Sequence, residues 1–248
     1  MTGTRTPGRE QLGPLAFSPD GEEWVEFGPT DARRRIGFHD YAAIYAVPGL
    51  YERLFYETLG MRSTAEVVRL YGEVLAAESL EPGGQRVVDF GAGNGLGGEA
   101  LRALGVGEVL GVDLEPMART AAQRDRPGVY DDYLVGDLGS WSTQQRGALA
   151  RREPTAVLAL SAVGIGHVPP GVLECALGLL GPGGIYGFAV TPTLLPGSDD
   201  PGGQASGFPD FIGALLRDTE PLCQTSYVHR RRPDGSDDLA VAFLGRTR

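Results

Sequence analysis

The chain has 248 residues and a formal net charge of −10 at neutral pH. That length holds one full α/β unit with a small appendage and excludes two large domains. So negative a surface repels phosphate backbones, so no nucleic-acid partner is expected.

Lysine is absent, which excludes Schiff-base chemistry on a side-chain amine. Cys175 and Cys223 form no C-x-x-C pair and no compact acid cluster stands out, so no metal is expected. The N-terminus is polar and no apolar run approaches membrane-spanning length. A cytoplasmic protein with no membrane partner, monomeric or homodimeric, is the expectation.

In chain order, residues 1–30 are rich in Gly, Pro, Thr and charge and are expected to form a flexible tail. Residues 31–82 read as a helical cap. Tyr41 and Tyr45, Leu50 and Leu54, and Val67 and Tyr71 repeat at helical spacing, Pro48-Gly49 interrupts, and Ser63-Thr64-Ala65-Glu66 offers a helix start. Two arginine runs, Arg33-Arg34-Arg35 and Arg230-Arg231-Arg232, lie near acids and read as solvated surface.

Residues 83–248 alternate short apolar runs with helical patterns. Strands are expected at 86–90, 108–112, 133–135, 156–160 and 185–190, with helices following the first, second and fourth. Residues 226–230 and 239–244 read as two further strands joined by Pro233-Asp234-Gly235-Ser236. The fold class expected is α/β, a Rossmann-like seven-stranded, mostly parallel sheet ending in an antiparallel hairpin strand, with the cap in front. The Pro- and Gly-rich segment 191–207 reads as a lid or as a disordered loop.

The strongest signal is Val87-Val88-Asp89-Phe90-Gly91-Ala92-Gly93-Asn94-Gly95, a strand turning into a helix through glycines that let the backbone approach a ligand. A dinucleotide pyrophosphate uses such a turn, and Gly93, Gly95 and Gly98 satisfy G-x-G-x-x-G. Asp89 at the strand tip would repel a diphosphate and favour a ligand carrying an ammonium and a sulfonium. The second strand ends in Gly111-Val112-Asp113-Leu114, where an acid can bind both ribose hydroxyls of either kind of ligand.

This pattern resembles the first signature of the class I S-adenosylmethionine-dependent methyltransferases, and the resemblance covers residues from about 80 to the C-terminus. It implies that Asp89, Gly91, Ala92, Gly93, Asn94 and Gly95 hold the methionine part of S-adenosylmethionine. Asp113 would bind the ribose, and Leu114 and Met117 would line the adenine pocket. In Leu134-Val135-Gly136-Asp137-Leu138, Asp137 would take the adenine amino group and Leu138 would lie against the ring. Ser161, with Ala162 and Val163, would reach the cleft edge.

The aromatic cap resembles the N-terminal lid of small-molecule methyltransferases from biosynthetic pathways. Tyr41 and Tyr45 are candidates to face a small-molecule acceptor, and Phe55 and Tyr56 read as core. His39 and His167 are candidates for a base, or satisfied structural histidines; His229 reads as structural. A nucleotide-dependent oxidoreductase and a non-catalytic methyltransferase-like scaffold are the alternatives.

Overall fold

The computed structural model describes residues 12–18 and 22–248. Much of the tail expectation therefore lies outside the described residues. Within that stretch, strands β1 (Ala16–Phe17) and β2 (Trp24–Phe27) pair antiparallel with each other, and β2 pairs with β3 (Arg34–Gly37). What reads as tail thus contributes two strands of a small sheet. Its inner side chains Val25, Phe27 and Ile36 bury against Phe38, Ile44, Leu50 and Leu54, which supplies the apolar contact that two short strands lack alone.

Helix α1 (Tyr41–Ala46) follows, with the Asp40 carboxylate accepting from the Ala43 N–H as its cap, and then a π-helical turn over Glu52–Thr58. Helix α2 (Ser63–Ala77) lies in the stretch expected to be cap. It turns Val67, Leu70, Tyr71 and Val74 onto the face of the main sheet, beside Leu101 and Val109. The front of the molecule is therefore a mixed sheet-and-helix layer, and α2 is one of the helices that cover the large sheet.

Beyond α2, strand and helix alternate: β4 (Arg86–Phe90), α3 (Leu96–Leu104), β5 (Glu108–Asp113), α4 (Pro116–Asp125), β6 (Asp132–Val135), α5 (Thr143–Ala150), β7 (Ala156–Ala159), α6 (Pro170–Leu177) and β8 (Ile185–Val190). Helices α7 (Pro201–Ala205) and α8 (Phe208–Asp218) precede β9 (Glu220–Arg231) and β10 (Asp237–Arg246). Sheet order is β6-β5-β4-β7-β8-β10-β9, parallel except for β10, which runs antiparallel to both neighbours.

Strands β4, β7 and β8 are buried along most of their length, as strands covered on both faces are. The chain winds outward in opposite directions from β4 and β7, which opens a crevice at their carboxyl ends. Segment 191–207 is ordered by a short turn at Pro192–Leu194, by buried Leu194 and by the Asp200 carboxylate capping α7 through Gly203 N–H at 2.6 Å. It is neither a structureless lid nor a disordered loop.

Candidate active site

The loop after β4 is folded back on β5: the N–H groups of Gly91 and Ala92 donate to the Val112 carbonyl at 2.8 and 3.1 Å. That tight return sets φ to +77° at Gly91 and +53° at Gly93, values that favour glycine. The loop is also wedged. A Cβ on Gly91 would meet the Ala162 Cβ at 2.3 Å, and one on Gly93 would meet the Tyr45 hydroxyl at 2.6 Å.

Asp113 closes this loop from the tip of β5. One carboxylate oxygen accepts from Gly93 N–H at 2.8 Å and the other from Glu115 N–H at 2.9 Å. Burial, with Glu115 nearby, raises its pKa, and the backbone donors oppose the rise. Leu114 beside it is 67% exposed, an apolar face open to a flat ligand, and Met117 is half-buried.

Asp89 is 1% exposed and accepts from the Tyr130 hydroxyl at 2.7 Å. Burial pushes its carboxyl up to about 7; the Tyr130 bond opposes this and the Asp113 charge adds to it. Gly97 packs directly against Asp89, leaving no room there for a side chain.

Two residues expected at the ligand are turned elsewhere. Asn94 is 2% exposed and donates to Glu52 Oε1 at 3.1 Å, and Glu52 also pairs with Arg126 at 2.8 Å. The Asn94 side chain therefore ties the loop to the π-helical turn. Leu138 is 1% exposed within the core beside Leu149 and Leu173, so its side chain is filler between sheet and helices and not a wall for adenine. Asp137 is exposed and accepts from Gly139 N–H at 2.9 Å, holding its own turn with one oxygen.

A separate cavity of about 310 Å³ opens at the carboxyl ends of β7 and β8. Ser161 stands on its wall, donating to the Met61 sulfur at 3.3 Å. His39, Tyr41 and His167 line it together: the two imidazoles lie 4.8 Å apart between ring centres, and Tyr41 lies 5.7 Å from His167. Burial and the neighbouring His39 lower the His167 pKa, which keeps that ring neutral at pH 7. Tyr41 stacks on Tyr45 at 6.1 Å, so the pair forms the partition between glycine loop and cavity. Tyr45 itself sits on the loop side, among Ala92, Ala118 and Tyr133.

Several residues at this site carry no local sequence signal. Glu23 of the expected tail accepts from Arg230 Nη2 at 2.6 Å, and His39 Nε2 lies 2.8 Å from its other oxygen. The Arg230 side chain is only 12% exposed, so this member of the second arginine run is cavity wall and not solvated surface. The first run stays at the surface, clasping Glu26 through Arg33 and Arg35. His229 sits in β9 as expected, yet it also lines the cavity.

No family model matches the chain. A stretch of 65 residues is 40% identical to the ribosomal protein L11 methyltransferase of Aeromonas hydrophila, and the match spans 24% of this chain and 22% of that relative. An S-adenosylmethionine-dependent methyltransferase from Anabaena variabilis superposes with a TM-score of 0.52 at 16% identity, over 77% of this chain and 89% of the other. A candidate RNA methyltransferase from Pyrococcus horikoshii gives 0.52 at 14% identity, over 75% and 81%. The chain has the class I methyltransferase fold, with its parallel strands and terminal antiparallel hairpin. Among the described residues no helix is long and apolar enough to cross a membrane.

Proposed function

We propose that this protein is an S-adenosylmethionine-dependent methyltransferase acting on a small-molecule acceptor of a biosynthetic pathway. The observation that carries the reading is electrostatic. Asp89 and Asp113 lie near the carboxyl ends of the paired strands β4 and β5, close enough for the Asp113 charge to raise the Asp89 pKa. A ligand bearing positive charge relieves that strain, and a diphosphate worsens it.

The residues present fit such a cofactor. Gly91 and Gly93, at positive φ, let the backbone of this loop turn tightly between Ala162 and Tyr45. Asp113 has lone pairs left for ribose hydroxyls after its two backbone bonds, and exposed Leu114 offers a face to adenine. Tyr45 then forms the roof over Gly93. When bound, the cofactor supplies an electrophilic methyl group on a positively charged sulfur.

The chain's own residues do the rest. Tyr41 and Tyr45 present aromatic faces at the partition, suited to a sulfonium. The cavity beyond holds the acceptor in line, which can supply much of the acceleration. Neutral His167 takes the proton of an acceptor hydroxyl or amine onto a ring nitrogen, and the Glu23–His39 pair beside it holds that face of the cavity in place. A cavity of about 310 Å³ behind a layer of cap suits a compact molecule rather than a folded macromolecule.

Calorimetry with S-adenosylhomocysteine and with NADH tests the cofactor. Binding of the former, lost in Asp113→Ala, is expected; binding of NADH alone sinks the reading. Mass spectrometry of a metabolite panel incubated with isotopically labelled donor then identifies the acceptor.

A further inference from the structure

Strands β9 and β10 pair with a break in register. Arg230 stands opposite Asp238, while Leu239 stands opposite Val228, which leaves His229 as an extra residue on β9. This is a β-bulge, a device that re-aims side chains next to sites. Neighbours on a regular strand point to opposite faces. Here His229 and Arg230 both line the acceptor cavity.

The two side chains are held firmly. His229 Nδ1 lies 2.6 Å from the Ser63 hydroxyl, which also bonds the Tyr227 hydroxyl at 2.6 Å. Burial pushes the His229 pKa down to about 4, so the ring is neutral. Arg230 donates from Nη2 to Glu23 at 2.6 Å, and its Nε lies 3.3 Å from Asp238 Oδ2. The Phe38 ring stands 5.8 Å from the guanidinium carbon.

The third nitrogen, Nη1, is buried and has no hydrogen-bond partner among the described residues. An unmade bond on a buried charged donor is costly and calls for a partner. The charge itself needs none. Glu23 and Asp238 face Arg230, and Asp238 is shared with Arg232 at 3.0 Å, so two cations meet two anions. What is missing is an accepting oxygen, and a third carboxylate beside Glu23 and Asp238 would be repelled.

We propose that this end of the cavity is a subsite for a neutral, carbonyl-type oxygen of the acceptor, bonded by Arg230 Nη1 and flanked by the His229 ring. The proposal rests on the methyltransferase reading and adds the acceptor's chemical class. The acceptor is a compact ring-bearing molecule whose carbonyl lies toward β9 and whose reacting group lies toward His167. Phe38, Phe55 and Met61 supply the apolar wall for the ring. Small side-chain adjustments of the kind common on binding bring oxygen and Nη1 together.

Three one-ring probes test this by NMR titration of the intact protein: acetophenone, benzoate and ethylbenzene. The chain has three histidines, so ring signals report the site directly. Acetophenone is expected to shift the His229 signal and to bind about tenfold more tightly than either other probe. Arg230→Lys keeps a charge near Glu23 but removes Nη1, and it should lose about tenfold in acetophenone affinity. Equal binding of ethylbenzene, tighter binding of benzoate, or unchanged acetophenone affinity in Arg230→Lys overturns the proposal. The probe ranking on the unaltered protein decides the matter even where the variant folds poorly. S-adenosylhomocysteine binding, measured in parallel, separates failure of this subsite from failure of the methyltransferase reading.

Discussion

The Tyr45 hydroxyl occupies the space directly over Gly93, 2.6 Å from where a Cβ on that residue would lie. The glycine is thus required twice, by its φ of +53° and by a phenol from another part of the chain. Gly93→Ala should destabilise the protein by about 1–3 kcal/mol and abolish S-adenosylhomocysteine binding, as read by thermal unfolding and calorimetry. Adding Tyr45→Phe removes the colliding hydroxyl but keeps the buried ring and the backbone strain, so the double variant should recover part of the stability that Gly93→Ala loses. Recovery of none of it would show that the hydroxyl does not crowd the loop.

Asp89 makes the protein's stability and its cofactor affinity respond to pH in opposite senses. Unfolded, its carboxyl ionises near 3.8, and folded near 7. Between these values the native state keeps a proton that the unfolded chain has lost, so stability falls as pH rises through the window. Asp89→Asn removes this slope and should stabilise the unliganded protein at pH 8 by up to about 4 kcal/mol, measured by denaturant titration at pH 5 and 8. The ammonium of S-adenosylhomocysteine favours the ionised form, so affinity should tighten by about tenfold from pH 6 to 8, and the Asn variant should show a flat profile.

His229 gives the opposite slope. Its ring is held neutral down to about 4 against an ordinary value of 6.5. Between those values the unfolded chain binds a proton the native state refuses, so stability drops as pH falls from 6.5 to 4. His229→Gln should flatten that part of the profile. An unchanged acid limb would place the acid sensitivity elsewhere.

The buried Glu52–Arg126 pair locks cap to loop, with both side chains 11% exposed and Asn94 on the same carboxylate. Arg126→Met breaks this buried ion pair and should cost about 3–5 kcal/mol. Glu52→Gln with Arg126→Met should be milder than Arg126→Met alone. A double variant as unstable as the single one would show that lost packing, not the lost ion pair, sets the cost.

The large sheet was legible because its information is local. Runs such as Val87-Val88 and Val157-Leu158 alternate with glycine turns, and strand direction follows from that alternation. Helix α5 carried a signal that could have been read: Ser142 and Gln145 form a reciprocal capping box. The cap was harder. Phe17 and Val25 have strand-forming side chains, but the stretch around them is polar, and their packing with Phe38 and Ile44 selects the sheet.

The meeting of Asp89, Gly91, Gly93 and Asp113 at adjacent strand ends was legible because spacing alone brings strand tips together. Asn94 and Leu138 sit in the right segments with side chains pointing the other way, since one rotation at a turn decides between groove and core. Arg230 and Glu23 are 207 positions apart, and no spacing rule spans that gap. Glu23 and the bulge at His229 emerge only when the cap and the final hairpin meet.

That meeting changes what the first thirty residues are for. A chain trimmed at residue 30, as the polarity of that stretch invites, would lose Glu23 and with it one counter-ion of Arg230 and the hydrogen-bond partner of His39. It would also lose β2, whose Val25 and Phe27 bury against Phe38, Ile44, Leu50 and Leu54 in the layer that carries Tyr45 and Glu52 to the glycine loop. The described part of that stretch is thus both core and, through Glu23, cavity wall.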